Sequence, residues 1–435
     1  MNAILVAVFC MLLLSLCRVH VVISLILGAF SGGLVSHLTL KETIEAFNTG
    51  VSNGASIALS YALLGAFAVA ISHSGLPNAL SDIAIKELKT ATNTSRIKWL
   101  LLFTIALVSI SSQNIIPIHI AFIPLLIPPL LYVMSKIRLD RRMVSCVMSF
   151  GLIMPYMFFP IGFGNLFLEQ ILIKNAANAG LNTENLHVMK AMAIPAFGMF
   201  LGLLTAIFFT YRKLRDYNAE FISKKEPPKM SRRSLFISLG AIVIAFLIQL
   251  YTDSMILGAL IGFICFTVAG IVKWHEADTA FNNGIKMMAM VGFVMITAQG
   301  FAEVLKQTNE IQTLIAYGAH YFAGSKPIAA LTLLLIGLII TIGVGSSFST
   351  IPIISVMFVP LCIQLGFSPM ATLCLIGTSG VIGDSGSPSS DTILATTAGL
   401  NADGQHDHLR DSVLPTFIHF NIPLLIAGWL GAQFL

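Results

Sequence analysis

Apolar runs separated by short polar stretches make up almost the whole sequence. Sixteen runs are found, and many approach the roughly 20 residues that a membrane-crossing helix needs. They cover residues 2–17, 21–36, 54–72, 99–111, 116–135, 143–161, 166–173, 190–211, 235–250, 255–272, 287–304, 328–344, 350–365, 369–383, 392–400 and 413–433. This pattern predicts an all-α polytopic membrane protein.

A basic segment divides the runs into two sets of eight. Residues 211–233 carry eight Lys or Arg residues and the Pro227-Pro228 pair, which is typical of a cytoplasmic linker. We therefore predict three parts: a membrane repeat over residues 1–211, a basic linker over 212–234 and a second membrane repeat over 235–435.

The two sets resemble copies of one another. ETIEAFNTG at 42–50 aligns with EADTAFNNG at 276–284, and eight of 27 positions are identical when this alignment is extended without a gap. Two further segment pairs match, 25–33 with 255–263 and 111–122 with 346–358. We expect each copy to hold about five transmembrane helices, a re-entrant hairpin and a broken helix. An odd number of crossings inverts the second copy relative to the first.

Polar interruptions occur at corresponding places in the two copies. SSQN at 111–114 precedes Pro117 and predicts a hairpin that returns to the side it entered from. PIGFGN at 160–165 and GDSGSPSSD at 383–391 interrupt later runs and predict broken helices. Paired broken helices in two halves are the best sequence indication of a transporter's binding site.

The charged residues predict the orientation of the chain. With both termini outside, the inner segments hold 20 of the 25 Lys and Arg residues, and the outer segments hold the other five. Because cytoplasmic loops are enriched in basic residues, we expect the inner (plasma) membrane with an N-out, C-out topology.

Composition excludes several classes of protein. Hydrophobic residues make up 56% of the chain, charged residues 10%, and the net charge is only +5, which argues against a soluble domain or a nucleic-acid-binding protein. No HExxH, GxxxxGK or metal-ligand spacing occurs, so we expect neither a metal centre nor a cofactor nor an enzyme. A remote alternative is an intramembrane hydrolase with Ser385 or Ser387 as nucleophile, although no nearby base is evident.

Acidic residues inside apolar runs are the first candidates for binding, because they are costly in a membrane. Two of the four such residues lie in the second break, where hydroxyls and main-chain carbonyls add oxygen ligands suited to Na+. The predicted cation-binding residues are Asp384, Ser387, Ser389, Asp391 and Thr392. The alternative is that Asp391 merely caps the helix that follows. Glu169 is expected to be structural.

The hairpin tips and the first break are polar but uncharged. Converging half-helix ends would present positive dipoles to a carboxylate and negative ones to a cation. The predicted substrate-binding residues are Ser112, Asn114, Asn165, Ser347, Ser349 and Thr350. These side chains alternatively cap the turns alone. Candidates for coupling are Glu303 and His119, whereas His406, His408 and His419 carry weaker signals.

The second break carries a family resemblance. GDSGSPSSDTILATTAGLNADGQHDHLRDSVLP resembles the signature region of the NhaC-type Na+/H+ antiporter family, in the ion transporter superfamily. The matching elements are Gly383, Asp384, Ser387-Pro388, Ser390-Asp391-Thr392, Asp407-His408 and Pro415. The resemblance implies a homodimer in which hairpins and broken helices move against a static scaffold. The first break departs from it, since no carboxylate matches Asp391.

These observations together predict a secondary transporter. The compact length is similar to a branch of the family related to amino-acid transporters, so we expect Na+ or H+ to drive a small solute such as an amino acid across the membrane. The alternative is strict Na+/H+ exchange, with Asp391 binding a proton and Na+ in turn. The expected partners are the solute or ion and the lipid bilayer, with no nucleic acid.

Overall fold

A computed structural model describes residues 2–17, 19–75, 94–115, 119–218, 232–252, 254–310, 313, 325–344, 346–388 and 390–435. Within these ranges the regular structure is helical, with no strand. The helices of the described ranges fall into two series of eight, on either side of the basic segment, and each predicted apolar run coincides with one of these helices. The predicted linker thus falls between the two series, and its residues 219–231 lie outside the described ranges.

The first series begins at Ala3. It comprises α1 (Ala3–Leu16), α2 (Val21–Val35), α3 (Leu40–His73), α4 (Thr94–Ile110, extended by a π-helical turn over Ser111–Ile115), α5 (His119–Lys136), α6 (Arg141–Phe158), α7 (Phe163–Asn178) and α8 (Val188–Thr210).

The second series follows the same order. It comprises α9 (Arg232–Thr252), α10 (Met255–Val268), α11 (Ala277–Gln307), α12 (Lys326–Val344), α13 (Ser347–Gln364), α14 (Pro369–Val381), α15 (Asp391–Leu400) and α16 (His408–Phe434). A 3-10 turn over Asp384–Gly386 lies between α14 and α15.

Length and composition make the chain a multi-pass membrane protein. Six helices of the described ranges are long and apolar enough to cross a membrane, and a seventh span results if the bent pair α6 and α7 is counted as one. The axes of this pair differ by 58°. Four further apolar helices, α1, α2, α10 and α12, are shorter.

The long helices α3 and α11 pack against each other in antiparallel orientation. A Cβ atom on Gly50 would lie 2.3 Å from the carbonyl oxygen of Gln299, and one on Gly65 would lie 2.2 Å from that of Gly284. Only glycine permits such close contact between two backbones. The repeat alignment pairs Gly50 with Gly284 and position 65 with position 299, so the two contacts are equivalent across the repeat.

The neighbours of this pair are exchanged between the two halves. Helix α2 of the first series packs on α11 of the second, and α10 packs on α3. Gly28 contacts the Phe301 ring, while Gly262 contacts the Phe67 ring, and these two phenylalanines occupy aligned positions.

The hairpin helices and the broken helices also cross between the halves. Helix α5 packs against α15, where Gly399 contacts Ile123 and Ile127. In turn, α13 packs against α7. The second arm of each hairpin therefore contacts the half-helix that follows the break in the other half, which brings both breaks towards one region of the molecule.

Candidate functional site

The break in the second half begins at a glycine. Helix α14 ends at Val381, and Gly383 has a φ of +98°, a left-handed conformation that glycine adopts without strain. The chain then makes one 3-10 turn, passes Pro388 and resumes as a helix at Asp391. The sequence GDSGSPSS therefore interrupts the helix and turns the Asp384 side chain into the protein interior.

Asp384 is buried and accepts hydrogen bonds from three hydroxyls. Tyr156 Oη and Ser347 Oγ each lie 2.8 Å from its Oδ2 atom, and Ser390 Oγ lies 2.6 Å from Oδ1. Tyr156 belongs to α6, Ser347 begins α13, and Ser390 precedes α15. Its carboxylate thus joins a first-half helix, the second hairpin and the broken helix.

No basic residue in the described part of the chain pairs with this carboxylate. Among the ion pairs of the described residues, none includes Asp384. A buried carboxylate held only by neutral donors is electrostatically incomplete, because the charge is compensated by dipoles alone. Such a site favours a cation or a proton.

Asp391 lies beside this centre at the first position of α15. Its side chain is exposed. Asp391 and Asp384 are close enough to interact electrostatically, and the Tyr61 hydroxyl interacts with both. The adjacent Thr392 is buried. The two predicted carboxylates are therefore brought together.

Five aromatic rings enclose one side of the site. Phe163, at the start of α7, lies 4.6 Å from the Phe348 ring of the second hairpin, measured between ring centres. Tyr156 contacts both rings and Phe167, and Tyr61 packs edge-on against Phe163. This cluster fills the junction between the first break and the second hairpin, and it keeps water from that side of Asp384.

The residues of the second hairpin tip have different roles. Ser347 binds Asp384 and so belongs with the predicted cation ligands, although it was predicted to bind substrate. Ser349 Oγ lies 3.4 Å from the sulfur of Met295 on α11. Thr350 donates to the Ser346 carbonyl at 2.9 Å, one turn earlier in the same helix.

The first hairpin tip and the first break lie close together, since the turn over Ser111–Ile115 contacts the start of α7. Ser112 is buried and donates to the Ser109 carbonyl at 3.1 Å. Asn165 accepts a hydrogen bond from Gln170 at 3.3 Å. Asn114 lies in the π-helical turn, but its side chain is outside the described part of the structure.

The structure describes the four other predicted residues to different extents. Ser387 donates to the Ile342 carbonyl at 3.3 Å, and Ser389 lies outside the described ranges. Glu303 pairs with Lys306 at 3.6 Å, about 12 Å along α11 from Met295 at 1.5 Å per residue. The helical position of His119 is described, but its side chain is not.

Sequence reasoning missed two residues, Tyr156 and Asn421. Asn421 on α16 is buried, and its Oδ1 atom accepts from Ser385 Oγ at 2.7 Å and from the Gly383 amide at 3.2 Å. Ser385 thus faces an amide, which is no base for a hydrolase nucleophile. Both missed residues are single polar side chains in apolar runs, MPYMFF and HFNIPLL, and that was the available signal.

The sequence matches two family profiles. That of the Na+/H+ antiporter family covers residues 147–429, which include the second break, and that of a second Na+-H+ antiporter family covers residues 2–88. The first match confirms the resemblance drawn from the GDSGSPSSDT region.

Three relatives extend the comparison. A membrane protein of Vibrio parahaemolyticus is 49% identical over the full length of both chains. YuiF of Bacillus subtilis, by its name a candidate amino acid transporter, is 46% identical over 99% of both chains. The Na+/H+ antiporter NhaC of Alkalihalophilus pseudofirmus is 25% identical over 39% of this chain and 37% of its own.

The fold resembles that of a solved transporter. The crystal structure of the YdaH transporter of Alcanivorax borkumensis superposes with a TM-score of 0.61 at 16% identity, over 90% of this chain and 88% of that one. Its fold, the family profile and the full-length relatives agree with a membrane transporter rather than an enzyme. The chain belongs to the Na+/H+ antiporter family.

Proposed function

We propose that this protein is a secondary transporter in which Na+ or H+ drives a small zwitterionic solute, such as an amino acid, across the inner membrane. One observation carries the proposal: the buried Asp384 carboxylate is held by hydroxyls from α6, the second hairpin and the second broken helix, with Asp391 beside it. Elements that move during alternating access thus meet at one ion-binding centre.

The chemistry of this centre suits a coupling cation. A hydroxyl has one proton and two lone pairs, so Ser347 and Ser390 are able to donate to Asp384 and to present oxygen to Na+ at the same time. Asp391 supplies a second carboxylate. Na+ prefers such hard oxygen ligands. The described residues contain no cluster of three or more His, Cys, Asp or Glu side chains, which is the type of group that holds a metal ion through these side chains alone.

The solute would lie between the hairpin tips and the two breaks. The N-termini of α13 and α15 meet here, and their partial positive charges favour the carboxylate of an amino acid. Ser112, Asn114, Asn165, Ser349 and Thr350 are the proposed contacts. Support for an amino acid comes from the name given to YuiF, which matches over nearly the whole chain.

We also propose that the two helix series are inverted repeats, with both termini outside and the basic linker in the cytoplasm. A two-fold axis in the membrane plane places equivalent helices antiparallel, and α3 and α11 pack in this manner through equivalent contacts. The homodimer remains a proposal that rests on the family resemblance.

The second candidate function is strict Na+/H+ exchange. It is favoured by the two neighbouring carboxylates and by the NhaC relative, which its name describes as a Na+/H+ antiporter. In this mechanism Asp391 would bind a proton and Na+ alternately, and no solute would be needed.

Currents from liposomes on a solid-supported membrane distinguish the two functions. Purified protein is exposed to Na+ jumps with and without a panel of amino acids, beside an Asp391→Asn variant. We expect a current that requires one amino acid, is stimulated by Na+ and is lost in the variant. Proton movement driven by Na+ alone, reported by internal pyranine, would contradict solute transport and support exchange. A protein that responds to neither would contradict both functions.

A further inference from the structure

A chain of hydrogen bonds runs from the second break to the loop between α15 and α16. His408 Nε2 lies 3.0 Å from the Pro388 carbonyl oxygen, and its Nδ1 lies 2.8 Å from Thr397 Oγ1. Thr397 Oγ1 is 2.9 Å from Ser412 Oγ, which is 2.8 Å from His406 Nε2. Two imidazoles are thus joined through two hydroxyls without a gap.

The donors of this chain are fixed by simple counting. A carbonyl only accepts, so His408 Nε2 must carry a hydrogen. If His408 is neutral, its Nδ1 accepts from Thr397, Thr397 accepts from Ser412, and Ser412 accepts from His406 Nε2. If His408 is protonated, its Nδ1 donates to Thr397 and every bond is reversed, which is the direction that the structure has between Thr397 Oγ1 and Ser412 Oγ. The chain therefore has two complete, oppositely directed states.

We propose that this chain is a proton-transfer path between the face that carries the basic linker and the cation site of the second break. A proton binds His406 at Nδ1. The hydrogen of His406 Nε2 passes to Ser412, the Ser412 hydrogen passes to Thr397, and the Thr397 hydrogen passes to His408 Nδ1. One N–H bond is broken at His406 and one is formed at His408, each hydroxyl keeps one hydrogen, and no electron is transferred to another group.

His406 is suited to receive and release a proton. It is buried, and its Nδ1 atom has no hydrogen-bond partner among the described residues. Burial lowers the pKa of His406 to about 4, so it holds the extra proton only transiently at neutral pH. His408 is partly exposed beside Pro388, so its Nε2 proton leaves to solvent next to the break, because the Pro388 carbonyl accepts a hydrogen bond but is not a base.

Charged groups from three elements surround His406. Asp411 lies at the start of α16, just after the loop that carries His406. Arg141 and Asp140 lie at the start of α6, and Arg215 lies in the segment after α8. Asp411 pairs with Arg215 at 2.6 Å and interacts electrostatically with His406.

The loop that carries His406 is held in place. Arg141 is fully buried and binds both oxygens of Asp403 at 2.6 Å. Burial raises the pKa of the Asp403 carboxyl, but the Arg141 guanidinium outweighs this effect and holds it below its usual value. The His406 amide also donates to the Asn401 side chain at 3.1 Å. The two imidazoles are therefore fixed at the distance that transfer requires.

The path rests on the second candidate function, Na+/H+ exchange, since that exchange needs a proton at the break. The test uses purified protein in liposomes and Na+ as the probe, with internal pyranine reporting net proton movement and radiolabelled Na+ reporting equilibrium Na+ exchange, which needs no net proton movement. Thr397→Val removes the central hydroxyl with little change in shape. His419→Gln is the matched control, because His419 is buried on α16 but binds Pro415 and Thr210 outside the chain.

We expect Thr397→Val to lower the Na+-driven proton flux at least about tenfold, the equivalent of 1.4 kcal/mol on the transfer step, and to change Na+ exchange less than about twofold. His419→Gln should leave both readouts within about twofold of the wild type. An unchanged proton flux in Thr397→Val, or an equal loss of both readouts, would overturn the path.

A second measurement keeps the path testable if the wild type moves no Na+. Nuclear magnetic resonance of ¹⁵N-histidine-labelled protein reports which ring nitrogens carry hydrogen. Acidification that protonates His406 should change the Nδ1 state of His408 in the wild type and not in Thr397→Val. Coupled titration without transport would leave the path intact and contradict the proposed function, whereas independent titration of the two rings would overturn the path.

Discussion

The two breaks have the same beginning and different chemistry. Both follow an Ile-Gly pair, and both glycines, Gly162 and Gly383, have positive φ angles. In the first half the helix resumes at once, at Phe163, whereas in the second half it resumes only at Asp391. The first break is lined by aromatic rings, and the second holds two carboxylates.

This difference indicates that the two halves, although similar in fold, contribute different chemical groups to the site. The first half supplies shape and one hydroxyl, from Tyr156, while the second half supplies the charge. A repeat therefore preserves the path of the backbone without duplicating the ion-binding residues.

Removing Asp384 should have the largest effect. Asp384→Ala leaves the hydroxyls of Tyr156, Ser347 and Ser390 without their acceptor, and each such loss costs about 1–3 kcal/mol. We expect Na+-stimulated transport to fall at least about 100-fold and the melting temperature to fall as well. Transport in liposomes and thermal unfolding measure the two effects. Wild-type transport by this variant would contradict the claim that the second half supplies the charge of the site.

Two glycine substitutions should separate stability from function. A Cβ on Gly164 would lie 1.9 Å from the Phe159 carbonyl oxygen, whereas one on Gly383 would lie 3.2 Å from its nearest neighbours but require a left-handed conformation. We expect Gly164→Ala to lower the free energy of unfolding by about 3 kcal/mol and Gly383→Ala by about 1–2 kcal/mol.

Transport should show the reverse order, with a larger loss per molecule of folded protein for Gly383→Ala. Thermal melting and transport normalised to folded protein provide the comparison. Equal transport by the two folded variants would show that the second break has no special role.

A single hydroxyl sharpens the comparison further. Tyr156→Phe keeps the ring among Phe163, Phe167 and Phe348 but removes one hydrogen bond to Asp384. Since such a bond is worth about 1 kcal/mol, we expect the Na+ concentration for half-maximal current to rise about fivefold. Tyr61→Phe is the control, because the buried Tyr61 hydroxyl has no hydrogen-bond partner among the residues that the structure describes. Equal shifts for the two variants would count against a specific role of Tyr156.

The smallest effect is expected at the first break. Asn165→Ala removes a side chain that accepts from Gln170 at 3.3 Å and lies away from the carboxylates. We expect the half-saturating solute concentration to rise about two- to threefold at unchanged Na+ dependence, because one neutral contact is lost. Concentration series of solute and of Na+ give both values. A changed Na+ dependence would place cation ligands in the first half.

The sequence predicts the helices of this fold better than their ends. Apolar runs located the sixteen helices that the structure describes, because membrane spans need continuous apolar residues. However, α3 begins at Leu40, 14 residues before its apolar run. Thr39 and Glu42 form a capping box there, a start signal that a search for apolar runs does not detect.

The candidate site was predicted in part. The glycines and carboxylates of the second break stand out locally, whereas Tyr156 and Ser347 meet Asp384 only after three distant segments pack together. The same holds for the chain from His408 to His406, which depends on the rotation of α15 against α16. Residue spacing gives the face of one helix but not its partner in another.

Equilibrium binding of radiolabelled Na+ to the purified protein tests the central claim most directly, since it needs neither a known solute nor a membrane potential. The variants are Asp391→Asn in the second break and Glu169→Gln, the matched change of a carboxylate after the first break. We expect saturable binding to be lost in Asp391→Asn and to stay within about twofold of the wild type in Glu169→Gln. Wild-type binding by Asp391→Asn, or its loss in Glu169→Gln, would contradict a cation site built by the second half.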